Sequence, residues 1–246
     1  MQAVHALVPA AGEGRRFTAS DPQSSPGKLF VMVAGRPMLE WTLEGLLTGA
    51  AVSSLTVALS PVRLGEYAAG SAARPATRDS RPRPLFVEGG EERQESVARC
   101  LAACPAGADD LVLVHDGGRP CLAAEDLENV IDAARRYGAA VLGRPVADTL
   151  KRVRAGFIEE TVDRAGLFRA ETPQVARRRD LERALARARE ETRRATDEAG
   201  LLEAVGVGVR AVEARFANPK LTVPSDLELI EQILLRRAGG LGRRTG

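Results

Sequence analysis

The sequence predicts an α/β protein: a mostly parallel β-sheet covered by helices on both faces, with one β-hairpin inserted. Three observations predict it. Short apolar runs (Ala3–Val8, Leu55–Leu59, Leu85–Val87, Leu111–Val114, Ala139–Leu142) alternate with segments of helical period. Polar, glycine-bearing segments follow three of those runs, at the strand ends where parallel sheets bind ligands. Thr149–Val153 and Phe157–Val162 then flank a turn at Arg154-Ala155-Gly156, which breaks the alternation as a hairpin does.

The elements follow in order. Ala3–Val8 reads as a buried first strand that opens into Pro9-Ala10-Ala11-Gly12-Glu13-Gly14-Arg15-Arg16. Small residues and two glycines let this backbone approach a ligand, and its N–H groups can form an anion-binding concavity. Arg15 and Arg16 add permanent charge whose planar fork suits phosphate. Two familiar phosphate loops are excluded. No Lys-Ser/Thr follows Gly14, as a P-loop requires, and the third glycine of a dinucleotide fingerprint is missing. A loop over 17–27 leads to Lys28, and Pro37 opens a helix as its first-turn proline. Met38, Trp41, Leu43, Leu46 and Leu47 give that helix its apolar spacing. Gly65–Pro84 reads as a surface loop. After the short strand at Leu85–Val87 come Gly89-Gly90-Glu91-Glu92-Arg93-Gln94-Glu95-Ser96 and a helix to about Cys104.

Leu111–Val114 is the continuous apolar run of a strand buried on both faces, and it ends at His115-Asp116. Ala124–Tyr137 is amphipathic and Ala139–Leu142 is again a buried strand. After the hairpin, a short segment Leu167–Val175 leads to a basic helix around Arg177–Arg194. Its interleaved glutamates mark a solvated face rather than a nucleic-acid patch. Thr196-Asp197-Glu198 caps the next helix, Val205–Val212 contains the last strand, and Pro224-Ser225-Asp226 opens a final helix to about Arg236. Residues 1–238 read as one domain with a hairpin arm at about 145–165, and 239–246 as a disordered tail.

Composition narrows the function. The chain has 246 residues, 44% of them hydrophobic, and no apolar run of membrane-spanning length. A net charge of +2 and 4% aromatics argue against a nucleic-acid binder. Cys100, Cys104 and Cys121 fit reduced thiols, which with the absence of a secretory signal points to the cytoplasm. Only Lys28, Lys151 and Lys220 are lysines among 35 basic residues. A lysine kept against such a bias marks a place where a compact ammonium matters.

The residues converging on the sheet edge are Arg15, Arg16, Lys28, Ser96, Asp116, Arg119, Thr149, Arg164, Thr196 and Lys220. Cations dominate, and no nucleophile–base pair is present. Phosphoryl or nucleotidyl transfer fits, because there the protein chiefly positions groups and neutralises charge. Asp116 is a candidate Mg²⁺ ligand, since that ion usually takes one or two carboxylates plus substrate phosphates. It could equally cap the turn that follows it.

Eight motifs in order carry a resemblance over roughly residues 3–235. They are Pro9-Ala10-Ala11-Gly12-x-Gly14-Arg15-Arg16 with Lys28, Gly89-Gly90-x-Glu92-Arg93-x-x-Ser96-Val97, His115-Asp116-x-x-Arg119-Pro120, Asp148-Thr149, Thr161-Val162-Asp163-Arg164, Thr172-Pro173-Gln174, Thr196-Asp197-Glu198 and Lys220-Leu221-Thr222. The chain resembles the 2-C-methyl-D-erythritol 4-phosphate cytidylyltransferases of the non-mevalonate isoprenoid pathway. The resemblance implies a Rossmann-like sheet, a hairpin dimerisation arm, Mg²⁺ dependence, and transfer of a cytidylyl group from CTP to methylerythritol phosphate with release of pyrophosphate. It implies catalytic roles for Arg16, Lys28, Arg164 and Lys220, and CTP binding by Pro9, Ala10, Ala11, Gly12, Gly14, Arg15, Gly89, Gly90, Glu91 and Ser96. Asp116, Thr149, Arg164, Thr172, Thr196 and Lys220 would surround the acceptor, in a homodimer whose arm reaches the partner's site. The alternative acceptor is another polyol phosphate, such as ribitol 5-phosphate. Gly117-Gly118 depart from the family's small non-glycine residues and imply a more flexible loop.

Overall fold

The computed structural model describes residues 2–12, 17, 27–48, 51–72 and 82–241. Gly14, Arg15 and Arg16 of the glycine loop lie outside the described residues, as do 18–26, 73–81 and 242–246.

The strands are β1 (Val4–Pro9), β2 (Met32–Val33), β3 (Arg36–Pro37), β4 (Ser54–Leu59), β5 (Leu85–Glu88), β6 (Leu111–Val114), β7 (Ala139–Pro145), β8 (Leu150–Arg154), β9 (Phe157–Val162), β10 (Phe168–Arg177) and β11 (Arg210–Glu213). The helices are α1 (Met38–Leu47), α2 (Pro61–Ala72), α3 (Arg93–Ala103), α4 (Ala124–Tyr137), α5 (Arg178–Glu190), α6 (Glu198–Ala204) and α7 (Asp226–Leu241). A seven-stranded sheet runs in the order β11-β7-β10-β6-β1-β4-β5. All its pairings are parallel except those of β10, which is antiparallel to both β6 and β7.

Alternation along the central strands builds two cores. Val4, Ala6 and Val8 of β1 and Leu111 and Leu113 of β6 pack with α1 and α4 on one face. Leu7, Val112 and Val114 pack with α3, α5 and α6 on the other. Both faces are therefore dry, which is why the central runs are apolar throughout. A third cluster seats α7 through Ile230 and Leu234 on Val33, Met38, Cys121 and Leu221. Cys100, Cys104 and Cys121 are free and buried; burial pushes the Cys100 thiol up to about 12 and the Cys121 thiol to about 11, as inert core residues. Among the described residues no helix is long and apolar enough to cross a membrane.

The hairpin forms where expected, as β8 and β9 joined at Ala155 and Gly156, whose φ values of 47° and 86° fit a two-residue turn with both residues left-handed. It makes a separate two-stranded sheet and leaves Val153, Phe157 and Ile158 exposed.

Four expectations are corrected. Pro37 precedes α1 rather than opening it: it pairs in the β2–β3 ribbon with ψ 139°, and Met38 is the first helical residue. The supposed loop from Gly65 is helical as far as Ala72, because Pro61 can occupy a first helical position and each of the two interior glycines, Gly65 and Gly70, costs only about 1 kcal/mol. The segment Leu167–Val175 is not a mere connection but most of β10, the antiparallel strand at the sheet's middle. Pro173 argues against a central strand, yet it lies where the ladder to β7 shifts register between Ala170 and Gln174, so no ladder bond is lost to it there. Finally, α7 continues through Gly239 and Gly240 to Leu241, so the first residues of the supposed tail are helical.

Candidate active site

Three parallel strands deliver the site at their carboxyl ends. Pro9–Gly12 leave β1, Gly89-Gly90 leave β5, and His115-Asp116 leave β6. Because β10 runs the opposite way, with Gln174 beside Val114, Thr172 reaches the same edge just before its strand pairs with β6. Pro9, Ala10, Ala11, Gly12, Lys28, Gly90, Glu91, Ser96, Asp116 and Lys220 line one cleft, joined by Glu92, Arg93, Gly117 and Gly118.

On one wall, the turn after β5 is fixed by its own hydrogen bonds. Ser96 Oγ accepts from the Gly90 N–H at 3.1 Å, and Glu95 Oε2 accepts from the Glu91 N–H at 3.0 Å. Gly89 lies behind this wall, where an added Cβ would come within 2.2 Å of the Ala11 Cβ. The β1 and β5 loops thus touch because residue 89 has no side chain.

On the other wall, the Asp116 carboxylate sits among cations. Its Oδ1 accepts from Arg93 Nε at 3.0 Å, its Oδ2 accepts from Lys220 Nζ at 2.6 Å, and Arg119 Nε lies 3.8 Å from Oδ2. Burial opposes its ionisation, but Arg93, Lys220 and Arg119 outweigh burial and hold it well below the usual carboxylate range. Arg93 also donates through Nη1 and Nη2 to the two oxygens of Glu198, at 2.6 and 2.9 Å. Burial works against the Arg93 charge, yet Glu198 and Asp116 overcome it and raise its pKa further.

His115 is fully enclosed, and burial pushes it down to about 4. Its tautomer follows from its partners. The Arg119 carbonyl can only accept, so Nε2 carries the proton and donates to it at 3.0 Å. Nδ1 therefore accepts from the Thr172 hydroxyl, whose oxygen in turn accepts from the Asp116 N–H. Thr172 is thus a buried strut that aims Asp116, with its carbonyl held by Asn218 Nδ2 at 2.8 Å. His115 is not free to act as a base.

The Gly117-Gly118 loop has both of its carbonyls hydrogen-bonded. Thr42 Oγ1 donates to the Gly117 carbonyl at 2.8 Å, and Leu221 N donates to the Gly118 carbonyl at 2.8 Å. Lys28 Nζ donates to the Leu221 carbonyl at 3.4 Å, so Lys28 meets the segment that carries Lys220 beside this loop.

Among the described residues, five expected ones do not line the cleft: Gly89 and Thr172 lie behind its walls, and three others stand away from it. Thr149 and Thr196 are exposed and line no part of it. Arg164 is exposed at the base of the hairpin, where its guanidinium donates to the Ala147 carbonyl. The cap of α6 is Asp197 alone, accepting from the Gly200 N–H at 3.0 Å. Arg93, Glu198, Gln174 and Asn218 carry much of the wall, although sequence reasoning assigned them no role here. Gln174 accepts from the Ala199 N–H and donates to Asp197, tying β10 to the start of α6.

Comparison with known proteins decides the family. The model of the 2-C-methyl-D-erythritol 4-phosphate cytidylyltransferase family matches residues 4–236. The chain belongs to that family. A cytidylyltransferase relative from Aeromonas hydrophila is 43% identical over 225 residues, spanning 91% of this chain and 86% of the relative. One from Synechococcus sp. (strain CC9902) is 38% identical, spanning 95% and 99%. The crystal structure of the Thermus thermophilus cytidylyltransferase superposes with a TM-score of 0.74 at 35% identity, covering 96% of this chain and all of that one. A structure titled 4-diphosphocytidyl-2C-methyl-D-erythritol synthase gives 0.78 at 32% identity. In cytidylyltransferase terms, the β1 and β5 loops form one wall and Asp116 with Lys220 the other.

Proposed function

We infer that this chain transfers the cytidylyl group of CTP to 2-C-methyl-D-erythritol 4-phosphate, giving 4-diphosphocytidyl-2-C-methyl-D-erythritol and pyrophosphate. One observation carries the reading beyond family membership. Lys28, Arg93 and Lys220 converge on a cleft between two backbone loops, and His115 and the three thiols are buried away from chemistry. Such a site binds and brings together anions rather than forming an enzyme-bound intermediate.

The acceptor phosphate is itself the nucleophile, so no strong base is needed. Its oxygen attacks the α-phosphorus of CTP, a new P–O bond forms, and the bond to the β-phosphate oxygen breaks with pyrophosphate leaving in line. Backbone groups of Pro9–Gly12, with Gly14, Arg15 and Arg16, are assigned to the triphosphate, and Lys28 to the charge that grows on it in the transition state. The Gly89-Gly90 turn, Glu91 and Ser96 are assigned to cytosine and ribose, and Asp116 and Lys220 to the acceptor, on which Thr172 acts through its hold on Asp116. Lys220 then exchanges part of its bond to Asp116 for the acceptor phosphate.

Magnesium fills most of its positions with phosphate oxygens and water, and usually needs one or two carboxylates besides. Among the described residues no group of three or more His, Cys, Asp or Glu could hold a metal. Both Asp116 oxygens already accept from cations, so Asp116 does not fit as the ion's holder, and no step above is routed through a metal.

Thr149, Arg164 and Thr196 are assigned to the acceptor site of a two-fold dimer built on the hairpin. A two-stranded hairpin is marginal alone, and Val153, Phe157 and Ile158 offer an apolar surface to a second copy. The buried free thiols agree with a cytoplasmic enzyme.

The test is pyrophosphate release with CTP or UTP and a panel of polyol phosphates. Turnover is expected with CTP and methylerythritol phosphate and at least about tenfold less with UTP, because a polar site fitted to cytosine leaves groups unpaired against uracil. Equal or faster turnover with ribitol 5-phosphate would overturn the acceptor assignment.

A further inference from the structure

We propose that Arg93, braced by Glu198, is a positioning residue that sets the acceptor wall of the cleft from the nucleotide wall. The inference rests on the placement of the acceptor at Asp116 and Lys220.

Arg93 is the first residue of α3, three beyond Gly90 and three before Ser96, so its backbone belongs to the nucleotide wall. Its side chain crosses to the other wall. Nε meets Asp116 Oδ1 at 3.0 Å, while Nη1 and Nη2 meet Glu198. Only a guanidinium can serve two carboxylates at once in this way, because its N–H groups point in fixed, divergent directions. Glu198 opens α6 and is 2% exposed, so the fork is anchored on a carboxylate that cannot move into solvent. Asp116 is then held from one side by Arg93 and from its backbone by Thr172, which leaves Oδ2 for Lys220 at 2.6 Å. The chain Glu198–Arg93–Asp116–Lys220 fixes where the acceptor-facing ammonium sits relative to Gly90 and Ser96. A pair that served packing alone would need neither the Nε contact nor a link between the two walls.

The experiment is steady-state kinetics of the full chain with CTP and methylerythritol phosphate. Arg93→Lys keeps charge but cannot reach both carboxylates. It should raise KM for the acceptor roughly tenfold or more, since small misplacements near reacting groups are costly. KM for CTP should stay within about twofold of wild type, as expected when only one substrate's contacts change. The double variant Arg93→Leu/Glu198→Leu removes both charges without stranding either and should stay folded. It should show the same rise in acceptor KM.

Wild-type acceptor KM in the folded double variant would overturn the inference. So would equal rises in both KM values, which would place Arg93 on the nucleotide side, or a loss of active fraction with both KM values unchanged, which would make it a staple. Asp116→Asn separates the premise from the inference. If that variant leaves the acceptor KM unaltered, the acceptor placement fails and the inference with it. If it raises the acceptor KM and the Arg93 variants do not, only the inference fails.

Discussion

Burial holds the His115 imidazole neutral, with its pKa lowered from 6.5 to about 4. The unfolded chain therefore binds a proton between those pH values that the folded chain refuses. Stability from this residue is complete above about pH 6.5 and falls as pH drops toward 4, by up to about 3 kcal/mol. Urea midpoints measured across that window should decline for the wild type and decline less for His115→Gln; parallel curves would refute the assignment. Lys220 makes a second residue-scale case. Its compact ammonium meets Asp116 Oδ2 at 2.6 Å beside a guanidinium already on Oδ1. A broad fork at 220 would collide with that arrangement, so Lys220→Arg should lose about 10–100-fold in kcat/KM for the acceptor despite its retained charge. Kinetics equal to wild type would show that any cation suffices. The rarity of lysine made Lys28 and Lys220 visible in the sequence, and both line the cleft. Arg93 and Glu198 were not visible in the same way. They stand 105 residues apart, in segments that read as a turn and a cap, and the tie of the start of α6 to β10 through Gln174 helps bring them together.

At the scale of elements, loops were legible where a strand ended in glycine. The β1 and β5 loops meet at Gly89, and here a substitution should be felt. Gly89→Ala would place a Cβ 2.2 Å from the Ala11 Cβ, an atom that cannot move without its backbone. A loss of about 1–3 kcal/mol in stability and a raised KM for CTP are expected, read by denaturant midpoint and kinetics. At Gly117 the nearest neighbours, Leu29 and Leu39 side-chain tips and the Ala10 Cβ, stand 3.2–3.4 Å away, so Gly117→Ala should cost less. If the two alanine variants behaved alike, the close approach at Gly89 would not matter. What the sequence hid was β10. A strand is recognised by its period and its lack of proline, and β10 carries Pro173 and a register shift, with Arg169 and Glu171 in its polar half. Its neighbours β6 and β7 were plain because burial on both faces makes them continuously apolar.

At the scale of the whole molecule, Arg164 and Thr149 lie away from the cleft of their own chain while the hairpin leaves an apolar face in solvent. If the arm completes a partner's site, Lys28→Ala and Arg164→Ala subunits, each inactive alone, should recover roughly a quarter of wild-type activity once mixed and exchanged. Half the dimers would be mixed, and in each of those one site would carry both lesions and the other none. No recovery after demonstrated exchange would reject a shared site. The antiparallel course of β10 has a further consequence, for the order in which the chain is made. Residues 4–114 supply β5, β4, β1 and β6, an ordered half-sheet whose outer strand is Leu111–Val114. The strand that closes that edge begins only at Phe168, so it emerges from the ribosome after the whole of α4, β7 and the hairpin. Throughout that interval, seconds at ordinary elongation rates of about 5–20 residues per second, an apolar edge stands open to other nascent chains. Chains halted at residue 166 should pellet on centrifugation, whereas chains halted at residue 190, with β10 and α5 in place, should stay in the supernatant.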